Sequence, residues 1–219
     1  MIGKDRVILR YDPIFLTDKY SIDYHFRAFE ALCLKLKDRT NKIIVSFLDD
    51  YKKVSRNMKG FNVKELNNED LISISQGLVG IAGKFGLPVE TCAESIDLNF
   101  LGINHARCID GELIEEIINC PIMYKDKLDG NRSHCGCMKC IDIGQYDTCV
   151  HNCLYCYANV NKRKAANSFQ LHDPQSPILV GSCVDRLIKD RKDVKSYRID
   201  SKVSRQNSLF DETEGSAKY

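Results

Sequence analysis

Along the N-terminal half of the chain, short continuous apolar runs alternate with longer stretches in which apolar residues recur every three or four positions. Arg6–Tyr11 (RVILRY) is apolar and β-branched and is closed by Asp12-Pro13, so it reads as a buried strand. Over Ser21–Lys37, Ile22, Phe26, Phe29, Cys33 and Leu36 fall at helical spacing, with Ser21 placed as the N-cap. Lys42–Leu48 (KIIVSFL) is a second buried strand. Asn67 caps a further helix whose core face is Leu71, Ile74, Leu78, Ile81 and Phe85. Gly77, Gly80 and Gly83 weaken that helix by ~1 kcal/mol each relative to alanine, which predicts close packing on a neighbour. Gly86 ends it, and Leu87–Cys92 (LPVETC) is a third strand.

Strand, helix, strand, helix, strand predicts an α/β fold with a parallel sheet and helices outside. Glu112–Ile118 is expected as a short helix capped by Asp110, and Cys140–Ile143 as a fourth, brief strand leading into Gly144. Asn159–Ser168 and Val184–Lys192 are expected as the last helices. The domain so drawn covers residues 1–194. From 195 to 219 the chain is polar and mixed in charge, the composition of a disordered tail. No internal repeat or low-complexity block interrupts it.

Composition changes this picture at one point only. A hydrophobic content of 43% and a charged content of 28% are ordinary for a globular domain. No apolar run approaches the ~20 residues of a membrane span, and the first residues lack the apolar stretch of a secretory signal. The expectation is a soluble cytoplasmic protein with no membrane partner. Net charge is +2, too small to argue for nucleic acid, although residues 160–219 hold 12 Lys/Arg against 8 Asp/Glu. Cysteine is the outlier: eleven are present, and six lie between Cys135 and Cys156. An odd number, densely clustered and without a signal peptide, argues for metal rather than for a disulfide framework.

The cluster loop, residues 144–159, contains Cys149-x3-Cys153-x2-Cys156. Three thiolates this close reach separate irons of a cubane only by wrapping around it, whereas tetrahedral zinc favours paired C-x2-C knuckles. Spacing leans towards iron–sulfur, yet thiolate suits both metals, and a non-catalytic zinc-binding cysteine module stays open as the alternative. Cys135, Cys137 and Cys140, with His134 as a spare ligand, are either a second metal site or ordinary thiols beside the loop. His151 is expected as a solvated or supporting side chain, Cys33 as core, and Cys108, Cys120 and Cys183 as isolated thiols. In parallel βα architectures the site gathers at the carboxyl ends of the strands. Those ends carry Arg10 and Asp12, Ser46 and Asp49, and Cys92 and Glu94. Arg10 is a candidate for a carboxylate and Glu94 for a ribose or ammonium group, unless they pair with their neighbours.

The stretch CVHNCLYCYAN, with an aromatic residue before its last cysteine, a strand before it and a helix after, resembles the signature loop of the radical-SAM superfamily, and within it that of spore-photoproduct-lyase-like proteins. Over nearly its whole length the chain also resembles the domain of unknown function 1848 family, through RYDPIFLTDKY, SFLDDYKK, ETCAE, CIDGELIE, CGC and IDIGQYDTCVHNCLYCYAN. The superfamily resemblance implies that Cys149, Cys153 and Cys156 bind a 4Fe–4S cluster. It implies that S-adenosylmethionine binds the remaining iron and is cleaved reductively to a 5′-deoxyadenosyl radical, with Tyr155 near the adenine. It further implies a reductant such as a ferredoxin or flavodoxin, and a substrate of nucleic-acid or nucleotide type. The loop normally follows the first strand; here it comes late, which implies a partial, permuted (β/α) barrel with the cluster loop on the last strand. Four strands against that barrel's six imply a missing N-terminal part of the barrel, or a separate chain that completes it.

Overall fold

The computed structural model describes residues 2–49, 52–123, 134–181 and 196–199. Its centre is a parallel four-stranded sheet in the order β1-β2-β3-β4, identical to the order in sequence. The strands are β1 (Leu9–Ile14), β2 (Ile43–Phe47), β3 (Val89–Thr91) and β4 (Asn104–His105). The sheet is open, with β1 and β4 at its borders. Leu9 stands beside Ile43, Ile43 beside Val89, and Glu90 beside Asn104.

One face of the sheet is covered by α1 (Ile22–Leu36) and α3 (Asn68–Gly83). Phe29 and Cys33 from α1, Ile74, Leu78 and Ala82 from α3, and Ile14, Val45, Phe47 and Val89 from the strands form one buried cluster. Both helices begin where side chains replace missing backbone partners. The Ser21 hydroxyl accepts from the Tyr24 N–H, and Asn67 and Asp70 form a reciprocal capping box. Gly86, at φ +66°, ends the second helix, and the Leu87 N–H turns back to the Ala82 carbonyl. On the opposite face, Ile44, Cys92 and Ala106 make a small second cluster. Lys42 pairs with Glu90 at 3.0 Å on that side.

Several expectations are corrected. The first strand does not stop at Asp12: it runs on through the cis Asp12–Pro13 peptide to Ile14, with a shift of register after Tyr11. A proline costs no ladder hydrogen bond on the outer side of a border strand, so the pair continues. The expected strand at Cys140–Ile143 is absent; these residues form no regular element and are exposed, Ile143 to 87%. Its alternating pattern has no neighbouring strand to pair with, and β-propensity alone does not make a sheet. The fourth and, among the described residues, last strand is instead Asn104–His105, behind a short 3-10 turn at Asn99–Leu101. The cluster loop 144–159 therefore does not sit on the last strand as expected: the helix Gly111–Ile118 comes between them. Of the three glycines in α3, only Gly77 meets a neighbour, the Phe26 ring; Gly80 and Gly83 face open space.

Three shorter helices complete the described part: α2 (Lys52–Met58), α4 (Gly111–Ile118) and α5 (Lys162–Gln170). The helix α2 was not anticipated and buries Val54 and Met58. Asp110 caps α4 as expected, through the Glu112 N–H. The last helix starts later than Asn159, because Asn161 is the residue whose side chain accepts from the Arg163 and Lys164 N–H groups. The expected helix at Val184–Lys192, and Cys183, lie outside the described residues. Of the polar tail, residues 196–199 are described and are not free. Met123 donates its N–H to Tyr197, Ile199 donates to Pro121, and Ile122 and Arg198 form an antiparallel bridge. Among the described residues no helix is long and apolar enough to cross a membrane.

Candidate functional site

A cleft of about 640 Å³ opens at the carboxyl ends of β1 and β2. Phe15, Phe47 and Asp49 line it from the sheet side, Val54 and Met58 from α2, and Glu94 from the end of β3. This is the edge where a parallel sheet offers its loops and leaves its last carbonyl groups free. Glu94 crosses to the neighbouring strand, where its Oε1 accepts from the Phe47 N–H at 2.9 Å. Burial raises its pKa, and the bonds from the Phe47 N–H and the Ser46 hydroxyl only partly offset that rise. Glu94 is thus a half-buried carboxylate at the cleft wall, already holding the two strand ends in place.

Arg10 is placed otherwise. Its guanidinium forms an ion pair with Asp12, two residues along the same face of β1, and donates to Cys108 Sγ at 2.9 Å. Partial burial works against its charge, but the bonds to Asp12 and Cys92 outweigh it, so it stays protonated. It lies outside the residues lining the cleft. Pairing with neighbours, the plainer of the two expectations for Arg10, is what the geometry displays.

The cysteine loop is built on an acid that the sequence did not single out. Asp147 is 3% exposed and sits at φ +58°, and its carboxylate accepts from the Val160 and Asn161 N–H groups. Lys164 Nζ lies 3.3 Å from its other oxygen. The Asp147 N–H in turn donates to Ala158, and the Asn159 amide to the Cys149 carbonyl. One side chain therefore clamps both ends of the loop to the start of α5. Its partners lie 13 and 14 positions away, beyond any short motif; the left-handed backbone that Asp tolerates better than most residues is the local signal.

Within the clamp, Cys149 and Cys153 are exposed and Cys156 is half-buried, and all three thiols are free. The Cys156 N–H donates to the Cys153 carbonyl at 3.1 Å, so the last two sit on one turn. The Tyr155 ring lies 6.2 Å from that of Phe15, and burial, with the nearby Cys153 sulfur adding to it, raises the pKa of its hydroxyl. The Leu154 carbonyl receives the Asn57 amide from α2. These contacts seat the loop on the exit of β1, beside the cleft. His151 is exposed. Three soft thiols within eight residues suit an iron–sulfur cluster by donor type and number. Among the described residues, however, no three His, Cys, Asp or Glu side chains are gathered as a metal site.

The other cysteines divide. Cys33 is fully buried in the core, as expected. Cys135 and Cys137 are half-buried, and Cys137 accepts from the Ile109 N–H; Cys140 is exposed. Cys108 is not isolated, for its sulfur lies 3.2 Å from that of Cys92.

A family model described as a domain of unknown function, DUF1848, matches residues 1–158, which include the whole sheet, the cleft and all three loop cysteines. No curated protein and no solved structure matches the chain.

Proposed function

The chain belongs to the DUF1848 family, and from that premise we propose that it is a radical-SAM-type enzyme whose 4Fe–4S cluster is held by Cys149, Cys153 and Cys156. The observation that carries this reading is the seating of a clamped three-cysteine loop on the carboxyl edge of a parallel sheet, next to a cleft of cofactor size. When bound, the cluster supplies one electron for reductive cleavage of S-adenosylmethionine. The protein's part is binding and orientation. Asp147 fixes the loop ends, Tyr155, against Phe15 at the edge of the cleft, sits near the adenine, and Glu94 offers a carboxylate at its wall for an ammonium or ribose group.

The open sheet is, in this reading, one part of a permuted barrel wall. All four strands are parallel and follow sequence order, as in (β/α) barrels, and the loop comes late in the chain yet lies at the end of β1. A separate chain or a further segment completes the wall. A ferredoxin or flavodoxin supplies the electron, and the substrate is a nucleic acid or nucleotide, by likeness of the loop to spore-photoproduct-lyase-like proteins.

Purification without oxygen, followed by metal analysis, tests the proposal. About four irons per chain with broad visible absorption, and 5′-deoxyadenosine on reduction with S-adenosylmethionine, are expected. A colourless protein with one zinc per chain would overturn it in favour of the structural cysteine module.

A further inference from the structure

A second sulfur site lies on the sheet face away from the helices, and it owes nothing to the cluster loop. Cys92 directly follows β3 and is buried; Cys108 follows β4 and is exposed. Parallel pairing of β3 with β4, Thr91 beside His105 with the Ala106 N–H bonded to the Thr91 carbonyl, brings the two sulfurs to 3.2 Å. A disulfide is about 2.05 Å long, so the two sulfurs must approach by roughly 1 Å to bond. Arg10 Nη1 lies 2.9 Å from Cys108 Sγ, and the same guanidinium hydrogen-bonds to Cys92. A fixed cation over two touching thiols favours a state in which one is a thiolate and the other its hydrogen-bond donor. The hydrogen bond with Cys92 pushes the Cys108 thiol up, so Cys108 is the proton donor of the resting pair.

We propose that Cys92 and Cys108 form a redox-active dithiol that exchanges with low-molecular-weight disulfides. Exposed Cys108 passes its proton to the Cys92 sulfur and attacks one sulfur of R–S–S–R, breaking its S–S bond, forming a mixed disulfide and releasing one RS⁻. Cys92 then attacks the Cys108 sulfur, forming the Cys92–Cys108 bond and releasing the second RS⁻. The single proton of the pair passes to the first released thiolate, which frees Cys92 as the thiolate for its attack, and the second thiolate leaves as RS⁻, so the protein loses two electrons and the small disulfide gains them. Burial of Cys92 makes it the resolving partner, reached through Cys108 and not directly.

The test uses the full reduced chain and oxidised glutathione, with alkylation of remaining thiols and peptide mass spectrometry. The Cys92–Cys108 cross-link is the expected main product. In Cys92→Ser the reaction stalls as a glutathione adduct on Cys108; in Cys108→Ser the cross-link is lost and Cys92 stays free. Should Cys108 join Cys135 or Cys137 instead, or should both Cys92 and Cys108 remain alkylatable while Cys149 and Cys153 are oxidised, the proposal is wrong. Repeating the measurement in Cys153→Ala separates it from the iron reading: the cross-link forms there equally.

Discussion

Replacing Gly77 with alanine puts a methyl group where the α1–α3 contact has no room. The added Cβ would stand 2.1 Å from Phe26 Cζ and 2.6 and 2.9 Å from the two Cε atoms. To restore ordinary contact the ring must retreat by roughly 1.5 Å. Phe26 is half-buried, so its ring swings towards solvent and does not strain the backbone. Overpacking of this kind costs about 1–3 kcal/mol, while alanine in place of an interior helical glycine gains about 1 kcal/mol. The net expectation is a loss of about 1 kcal/mol for Gly77→Ala. The same change at Gly80, which faces open space, keeps the whole gain of about 1 kcal/mol. Urea unfolding of the full chain reads the gap between the two variants, about 2 kcal/mol, as a difference in midpoint at constant slope. In a Phe26→Ala background, Gly77→Ala should become stabilising, since the obstacle is gone. Equal stability of Gly77→Ala and Gly80→Ala would refute the packing of α1 on α3 described above.

The loop makes its own demands. Cys153→Ala should abolish iron loading, because three thiolates are the minimum set and none is spare, and full iron content by metal analysis would show the ligands misassigned. Cys33→Ala should leave iron unchanged and cost about 1 kcal/mol of unfolding free energy, since that thiol is fully buried in the core. Asp147→Ala keeps every thiol but frees the loop ends, so iron per chain should fall after dialysis while the rest of the fold, read by circular dichroism, persists. At the start of α3, the Lys64 ammonium first and the Asn67 N–H next hold the Asp70 carboxyl below its ordinary range. Its folded pKa lies under the unfolded value of about 4, so its stabilisation is present above that pH and is lost as the pH falls through the folded value. Asp70→Asn should therefore flatten the acid limb of stability against pH, and an unchanged limb would remove Asp70 from the account.

Elements with a cap and a stripe were readable from residues alone. Ser21, Asn67 and Asp110 stand where the structure uses them, and Ile74, Leu78 and Ile81 face the core as their spacing requires. The fourth strand was not readable, because two polar residues, Asn104 and His105, carry no periodicity; they are a strand only by virtue of β3 beside them. Cys140–Ile143 fails for the converse reason, an alternating pattern with nothing adjacent. The three loop cysteines are visible as a spacing, but their seat against Phe15 and their clamp through Asp147 depend on contacts 13 to 140 positions apart. The Cys92–Cys108 contact is of the same kind, since its 16-residue separation vanishes only once two strands lie parallel.

The two outer strands deter intruders. On one border, Pro13 and the broken register after Tyr11 interrupt the run of free backbone donors; on the other, the ladder is only two residues long. Neither offers the long flat template along which foreign chains zip into aggregates. Any second polypeptide that finishes the wall must accordingly draw much of its hold from side chains, since the borders offer it only a short or broken ladder.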